Sequence, residues 1–206
     1  MKGLIVCGYP GVGKSSIAGW NNCIDLESSL FSHYEDSCRK SDDYWVGEYC
    51  NLAYYLALQG YTVMTSTHMA VTDYFDRFKV TLYKDVPIVI FCPRYDMKEA
   101  WAIRLVNRYL NSENEKDLRA FQGAIEYWDK KLDHCFKTGL PVHCPDEIDY
   151  DLRNYILKIR KMEGCDDAEE TNSPMEPMAG VEETCLDDSM VEETADISRN
   201  HSERLV

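Results

Sequence analysis

The stretch Leu4-Ile5-Val6-Cys7-Gly8-Tyr9-Pro10-Gly11-Val12-Gly13-Lys14-Ser15-Ser16 decides the fold. Its first four residues are a continuous apolar run, which is typical of a strand buried on both faces of a sheet. The next eight match the pattern G-x-x-x-x-G-K-[ST], which forms a phosphate-binding loop when a strand precedes it and a helix follows it. We therefore expect a strand that ends at Cys7, a glycine-rich turn, and a helix from Lys14 to Trp20.

This motif assigns a chemical role to each of its parts. Backbone N–H groups of a glycine-rich turn can surround a β-phosphate, and the positive end of a following helix strengthens the attraction. Lys14 is expected to reach the β- and γ-oxygens of ATP, and the Ser15 hydroxyl is expected to ligate Mg²⁺. ATP and Mg²⁺ are thus the expected cofactors, and the expected ATP-binding residues are Gly8, Tyr9, Pro10, Gly11, Val12, Gly13, Lys14, Ser15 and Ser16.

Apolar runs alternate with segments of helical periodicity along the rest of the chain. After the first strand, further strands are expected at 23–26, 62–67, 87–92 and 140–144, and helices at 44–58, 71–80, 97–110, 115–136 and 148–162. Strands that alternate with helices predict a parallel sheet covered on both faces. We expect an α/β fold with helices on both faces of a five-stranded parallel sheet, in the strand order 2-3-1-4-5.

The charge of the chain is divided unevenly between its two parts. Residues 1–162 carry 20 Lys and Arg against 22 Asp and Glu, whereas residues 163–206 carry two basic and 14 acidic residues. The last 44 residues also have few large apolar side chains, so they cannot bury enough surface to offset chain entropy. The sequence predicts a kinase domain over 1–162 and a disordered acidic tail over 163–206.

Cysteine usage and hydropathy bear on where the protein works. The nine cysteines form no C-x-x-C pair, and no stretch approaches 18 consecutive apolar residues. These features favour a reducing compartment and argue against a membrane association. We expect a cytoplasmic protein, in the host cytoplasm if a phage encodes it.

Residues that follow the later strands indicate which class of phosphate-binding protein this is. Switch GTPases and ring ATPases place an Asp at the end of a later strand, whereas the third and fourth strands expected here end without a carboxylate. Small kinases instead use basic residues to close over the phosphates. Arg94 follows the fourth strand, and Arg104 and Arg108 share one helix face, so all three are candidates for this role. The alternative for Arg104 and Arg108 is that they form a solvated helix face and pair with Glu99 or Glu113.

Asp25 and Glu27 end the second strand, in the crevice where an acceptor is expected to lie. An alcohol acceptor benefits from a carboxylate that takes its proton, whereas a phosphate acceptor needs cationic partners. Asp25 therefore favours a hydroxyl acceptor. The alternatives are that Asp25 holds Mg²⁺ through water and that Glu27 only begins a helix.

Three polar residues, Ser66, Thr67 and His68, end the third strand and are expected to line the same crevice. Ser66 and His68 could donate hydrogen bonds to the acceptor, and His68 could act as an acid or base, although a single histidine is more often structural. We therefore include Glu27, Ser66, His68 and Arg94 as candidate acceptor-binding residues.

With these residues the sequence resembles the superfamily of P-loop kinases that includes adenylate, shikimate, gluconate and polynucleotide kinases. Within it, the chain is similar to small phage-encoded kinases through Ile24-Asp-Leu-Glu-Ser-Ser29 and Trp101-x-x-Arg-Leu-x-x-Arg-Tyr109. Some kinases of this type phosphorylate 5-hydroxymethyluracil in DNA, as a step towards hypermodified thymidine. The resemblance covers roughly residues 1–160 and implies transfer of the ATP γ-phosphoryl group.

The sequence thus predicts a kinase whose catalytic residues are Lys14, Asp25, Arg104 and Arg108 and whose metal ligands are Ser15 and Asp25. The leading acceptor is 5-hydroxymethyluracil in phage DNA. A kinase for free nucleosides or nucleoside monophosphates is the first alternative, and a nucleotide-binding regulatory protein is an alternative of another class. The near-neutral domain departs from the basic surface usual in DNA-binding enzymes.

Overall fold

Five parallel strands form a single sheet in the order β2-β3-β1-β4-β5. They are β1 (Leu4–Gly8), β2 (Cys23–Asp25), β3 (Thr62–Ser66), β4 (Ile88–Phe91) and β5 (Val142–His143). The computed structural model describes residues 2–34 and 38–165, all of which belong to one compact unit. The parallel sheet and its strand order confirm the prediction.

Seven α-helices surround this sheet in the described residues. They are α1 (Ser29–Ser32), α2 (Asp42–Leu58), α3 (Met69–Phe78), α4 (Lys98–Ser112), α5 (Glu115–Glu126), α6 (Trp128–Lys137) and α7 (Leu152–Met162). All of β1 and β4 is buried, and α2 packs Trp45, Tyr49 and Ala53 into the same core. None of these helices combines the length and apolar character that crossing a bilayer requires.

The helix expected from Lys14 to Trp20 does not form, and that prediction is wrong. Only two short 3-10 turns are present, at Lys14–Ser16 and Trp20–Asn22. Gly19, Asn21 and Asn22 have φ angles of 81°, 44° and 58°, a left-handed conformation that ends a right-handed helix. The Gly19 N–H donates to the Cys23 carbonyl at 2.8 Å, so the chain turns directly into β2. The phosphate-binding motif therefore lacks the dipole of a long following helix.

The single helix expected over 115–136 is two helices, α5 and α6. They meet at Tyr127, whose φ of −113° and ψ of 23° interrupt the helical path. The break lets α6 bury Trp128 and Leu132 while α5 buries only Ala124. Packing thus overrides a periodicity that was nearly continuous across both segments.

The described chain extends beyond Met162, where the sequence placed the end of the kinase domain. Cys165 is buried, and its thiol donates to the Gly3 carbonyl at 3.4 Å. Cys165 therefore packs on the fold, whereas Gly164 before it is exposed. The remainder of the predicted acidic tail, residues 166–206, lies outside the described residues.

Candidate functional site

The carboxyl ends of β1, β2 and β3 meet at one edge of the sheet and build the site. The register pairs Gly8 with Ser66 and Asp25 with Met64, so the glycine-rich turn, Asp25 and the end of β3 are neighbours. Ligands of open parallel sheets bind at this edge. The fold therefore brings the glycine-rich turn, Asp25 and Ser66 to one edge of the sheet.

Glycine is required within the turn itself. Gly11 and Gly13 have φ angles of 89° and 98°, which L side chains rarely adopt. A Cβ atom at Gly11 would also lie 2.8 Å from the Leu105 side chain. The turn thus depends on both glycines, in agreement with the motif.

Two aromatic side chains hold the carbonyl groups of the turn. The Trp101 indole N–H donates to the Pro10 carbonyl at 2.8 Å, and the Tyr150 hydroxyl donates to the Val12 carbonyl at 2.8 Å. The two rings stack on each other with an interplanar angle of 15°. These bonds fix the orientation of peptide groups on either side of Gly11, so the turn is preorganised.

Three consecutive N–H groups of the turn have no acceptor within the described residues. They belong to Gly13, Lys14 and Ser15, whereas the following Ser16 N–H donates to the Gly13 carbonyl at 3.0 Å. Gly13 is left-handed and Lys14 begins a right-handed 3-10 turn. Successive N–H groups in such an alternating conformation form a concave anion-binding site. The arrangement can bind phosphate oxygens without the helix dipole.

Lys14 lies across this turn. Its ammonium group donates to the Gly8 carbonyl at 3.2 Å, and the residue is partly buried. Burial lowers the pKa of Lys14, while the carboxylates of Asp25 and Glu27 oppose this shift. A bound phosphate would add further negative charge next to the same ammonium group, so anion binding stabilises its charged form.

Ser15 and Asp25 form a pair suited to a divalent cation. The Ser15 hydroxyl donates to Asp25 Oδ2 at 3.0 Å, and Asp25 Oδ1 is buried without a hydrogen-bond partner in the described part of the chain. A buried carboxylate oxygen without a donor is costly unless a cation or a donor binds it. No group of three or more metal-ligating side chains occurs in residues 2–34 and 38–165. Mg²⁺ held here would thus take phosphate and water oxygens as its other ligands, as Mg²⁺ commonly does.

Lys116 is a functional candidate that the sequence reasoning missed. It lies in the first turn of α5 and forms an ion pair with Glu27, and both charges act on the Lys14 ammonium. Burial alone would raise the pKa of Glu27, but the Lys116 ammonium outweighs it and holds that pKa below its ordinary value. Glu27 is therefore a charged partner of Lys116, 89 residues away, which no local pattern could have revealed.

The three arginines have different surroundings. Arg108 forms an ion pair with Asp117 at 2.5 Å, rather than with Glu99 or Glu113. Arg94 is exposed and pairs with Asp96 at 3.1 Å. The charge of Arg108 acts on the Lys14 ammonium, which places Arg108 near the expected phosphate position. For Arg94, the described residues show the ion pair with Asp96 and no contact with the turn.

Arg104 lies beside a cleft. Its guanidinium contacts the Trp101 and Tyr150 rings, with centroid distances of 5.5 and 5.0 Å, and donates to the Ile148 carbonyl at 2.8 Å. The cleft has a volume of about 550 Å³, and its lining residues are Ala100, Ile103, Arg104, Asn107, Ile148, Asp149 and Tyr150. This volume is in the range of small-molecule sites, and a planar guanidinium stacks well on aromatic rings. Arg104 therefore lies beside this cleft and also beside the turn, since a Cβ atom at Gly13 would be 3.9 Å from its guanidinium.

His68 and Ser66 lie at the end of β3, as expected, and some of their polar atoms already form hydrogen bonds within the protein. The Arg39 guanidinium donates to His68 Nε2 at 2.8 Å, which assigns the ring proton to Nδ1. That Nδ1 atom is buried without a partner among the described residues. Burial also lowers the pKa of His68, which favours the neutral ring. His68 is thus arranged to donate a hydrogen bond, whereas its basic nitrogen is already used.

Ser66 is tied to the backbone around it. Its hydroxyl accepts a hydrogen bond from the His68 N–H at 3.0 Å, and its own N–H donates to the Tyr49 hydroxyl at 3.0 Å. The Tyr49 hydroxyl in turn donates to the Leu26 carbonyl at 2.8 Å. This chain of bonds fixes the ends of β2 and β3 relative to each other.

A scan against protein-family models finds no match to the chain, and a search of curated proteins finds no significant relative.

Proposed function

We propose that the protein is a Mg²⁺-dependent kinase that transfers the γ-phosphoryl group of ATP to a hydroxyl group of a nucleotide-like acceptor. One observation carries the proposal. Three N–H groups without acceptors in the described chain adjoin Lys14, and the Ser15–Asp25 pair leaves a buried carboxylate oxygen without a donor. An anion site next to a cation site is what a nucleotide bound with Mg²⁺ requires.

In this proposal the phosphates of ATP accept hydrogen bonds from the backbone N–H groups of Gly13, Lys14 and Ser15. Lys14, Lys116 and Arg108 neutralise charge that develops during transfer. Glu27 and Asp117 keep the two latter cations in place until phosphate oxygens compete for them. These ion pairs thus hold the cations in position, and a phosphate group, which carries more charge, can take the place of the carboxylates.

The cleft lined by Arg104 and Tyr150 suits the base of ATP. Arg104 provides a flat cationic surface, and Tyr150 joins the cleft to the phosphate-binding turn through its bond to the Val12 carbonyl. Ile148 and Tyr150, which follow β5, complete the lining of this cleft. Arg104 thus acts in nucleotide binding, while Arg108 retains the catalytic role expected for both.

Mg²⁺ would be held by Ser15 and Asp25 and would neutralise phosphate charge when bound. The Oδ1 atom of Asp25, which has no donor in the described chain, would face the cation, and Oδ2, which accepts from Ser15, would receive the proton of an acceptor hydroxyl. A neutral His68 would donate through Nδ1 to an acceptor oxygen. Asp25 is therefore proposed both as a metal ligand and as the base.

The leading acceptor is 5-hydroxymethyluracil in DNA, because its primary alcohol is the type of group that a carboxylate base serves. The test uses ATP labelled on the γ-phosphate, offered with hydroxymethyluracil-containing DNA, unmodified DNA, free nucleosides and nucleoside monophosphates, followed by digestion to nucleosides. We expect label on the hydroxymethylated base. Label on free nucleosides or monophosphates alone would exclude the DNA acceptor, and ATP binding without transfer to any acceptor would favour a regulatory protein.

A further inference from the structure

Three cysteines meet at the carboxyl ends of β4 and β5. Cys92 follows β4, Cys144 follows β5 and Cys135 lies on α6, and the Cys92 thiol interacts with both of the other thiols. Cys92 and Cys135 are buried, whereas Cys144 is partly exposed. The cluster thus has one member that a small reagent can reach.

The sheet register sets Cys92 beside Cys144. In β4 and β5, Ile90 is the partner of Val142, and its N–H donates to the Pro141 carbonyl at 2.8 Å. The Cys92 N–H donates to the His143 carbonyl at 3.1 Å in the same pattern, so the partner of Cys92 is Cys144.

Partners on neighbouring parallel strands lie about 4.8 Å apart and point to the same face of the sheet. A disulfide requires a Cα separation of about 4.4–6.8 Å. The pair therefore meets the Cα requirement, and its Cβ atoms need to move only slightly closer, to about 3.8 Å, for the bond to form.

The surroundings of Cys144 favour its thiolate form. The interaction with the Cys92 thiol lowers the pKa of Cys144 most, burial opposes this shift, and the Arg94 guanidinium adds to the lowering. Burial and both thiol neighbours hold the pKa of Cys92 above its ordinary value. The Cys92 thiol also lowers the pKa of Cys135, but Cys135 is buried. Because the thiolate is the reactive form and a reagent must reach it, the partly exposed Cys144 is the member that reacts first.

We propose that Cys144 and Cys92 form an oxidation site at which hydrogen peroxide converts the two thiols into a disulfide. The Cys144 sulfur attacks one peroxide oxygen, the O–O bond breaks, and the departing hydroxide takes up a proton to leave as water. The Cys92 sulfur then attacks the resulting sulfenic acid, the S–O bond breaks, and the hydroxyl group leaves as a second water with the Cys92 proton. Two thiols are oxidised, and one peroxide is reduced to two waters.

The disulfide is expected to act on the base cleft, an effect that rests on the proposed function. Cys144 begins the loop that carries Ile148 and Tyr150, which bind Arg104 and the Val12 carbonyl. Joining Cys144 to Cys92 draws the start of this loop towards β4. We expect the affinity for ATP to fall by on the order of tenfold, within the usual range of coupling between sites.

Peptide mapping of the full-length protein tests the disulfide. After treatment with hydrogen peroxide, alkylation and tryptic digestion, Cys92, Cys135 and Cys144 fall in separate peptides, 85–94, 132–137 and 138–153. We expect peptide 85–94 linked to peptide 138–153. Cys144→Ser should abolish this product, and Cys38→Ser, which replaces another exposed thiol, should leave it unchanged. A link between 85–94 and 132–137, or Cys144 recovered only as free thiol or sulfinic acid, would overturn the proposal.

Titration of ATP into reduced, oxidised and re-reduced protein tests the coupling. We expect weaker binding after oxidation and full recovery with dithiothreitol, and no change after oxidation of Cys144→Ser. The linked peptide with unchanged ATP affinity would overturn the coupling. Reduced protein that fails to bind ATP would contradict the proposed function, and the peptide map would still decide the oxidation site.

Discussion

Tyr150→Phe tests whether the aromatic anchors preorganise the phosphate-binding turn. The substitution keeps the ring that packs against Trp101 and Arg104 and removes only the hydroxyl that donates to the Val12 carbonyl at 2.8 Å. Val12 is fully buried, so its carbonyl has little access to a replacement donor. Leaving a buried acceptor without a partner costs about 1–3 kcal/mol. We expect the free energy of unfolding to fall by that amount.

The same substitution should weaken ATP binding, because the turn must then be ordered by the ligand. If half or more of the lost stability is local to the turn, affinity falls by roughly 3- to 100-fold, since 1.4 kcal/mol corresponds to tenfold. Urea denaturation and calorimetric titration with ATP measure the two effects.

Tyr155→Phe is the matched control for this experiment. Its hydroxyl donates to Asp146 at the surface, so it should change stability by about 0.5 kcal/mol or less. Equal stability and equal ATP affinity of the two variants would refute the anchoring argument.

Three further substitutions test the other parts of the site. Asp25→Asn should lower kcat by roughly two to four orders of magnitude at saturating ATP and Mg²⁺, because the acceptor loses its base; full recovery at high Mg²⁺ would assign Asp25 to the metal alone. Lys116→Ala should lower kcat/KM by about 10- to 100-fold through loss of a charged phosphate contact. Arg119→Ala, on the same helix at a residue that pairs with Glu115, should leave kcat/KM unchanged. Because burial lowers the pKa of His68, protonation favours the unfolded state, so the free energy of unfolding should fall as the pH drops below about 6.5. His68→Gln should reduce the difference in this free energy between pH 7.5 and 5.5, measured by denaturant titration. An unchanged difference would contradict a buried, neutral His68.

The sheet could be predicted from the sequence because its signals are local and strong. Leu4–Cys7 and Ile88–Phe91 are apolar runs bounded by glycine or proline, and each forms a fully buried strand. The glycine-rich motif likewise fixes the turn, because only glycine fits at Gly11 and Gly13. Where residue chemistry alone restricts the backbone, sequence reasoning is sufficient.

The helix predicted after the glycine-rich motif does not form, for a reason that is visible in the sequence. Gly19, Asn21 and Asn22 readily adopt left-handed conformations, and they occur where the expected helix would have continued into β2. The motif was given more weight than these residues. A consequence is that anion binding here depends on N–H groups and side-chain cations, without a long helix dipole.

The contacts around the site could not be predicted, because they join distant segments. The periodicity of α4 places Arg104 and Arg108 on one helix, but it does not reveal that Arg104 stacks on Tyr150 while Arg108 pairs with Asp117. Trp101 belongs to the pattern shared with phage kinases, but that pattern does not reveal that its indole N–H donates to the Pro10 carbonyl. These roles depend on tertiary packing, which periodicity does not encode.

The central claim is that the turn over Gly8–Ser15 binds ATP with Mg²⁺, and calorimetric titration of the wild-type protein and Lys14→Ala tests it most directly. We predict Mg²⁺-dependent binding of one ATP per chain to the wild type. Lys14→Ala should weaken it by about 10- to 100-fold, the value of a charged hydrogen bond, with an unchanged circular dichroism spectrum. Lys158→Ala, a change on α7 at a lysine that lies over the Tyr155 ring, should bind ATP as the wild type does. Failure of the wild type to bind ATP, or equal binding by Lys14→Ala, would contradict the account.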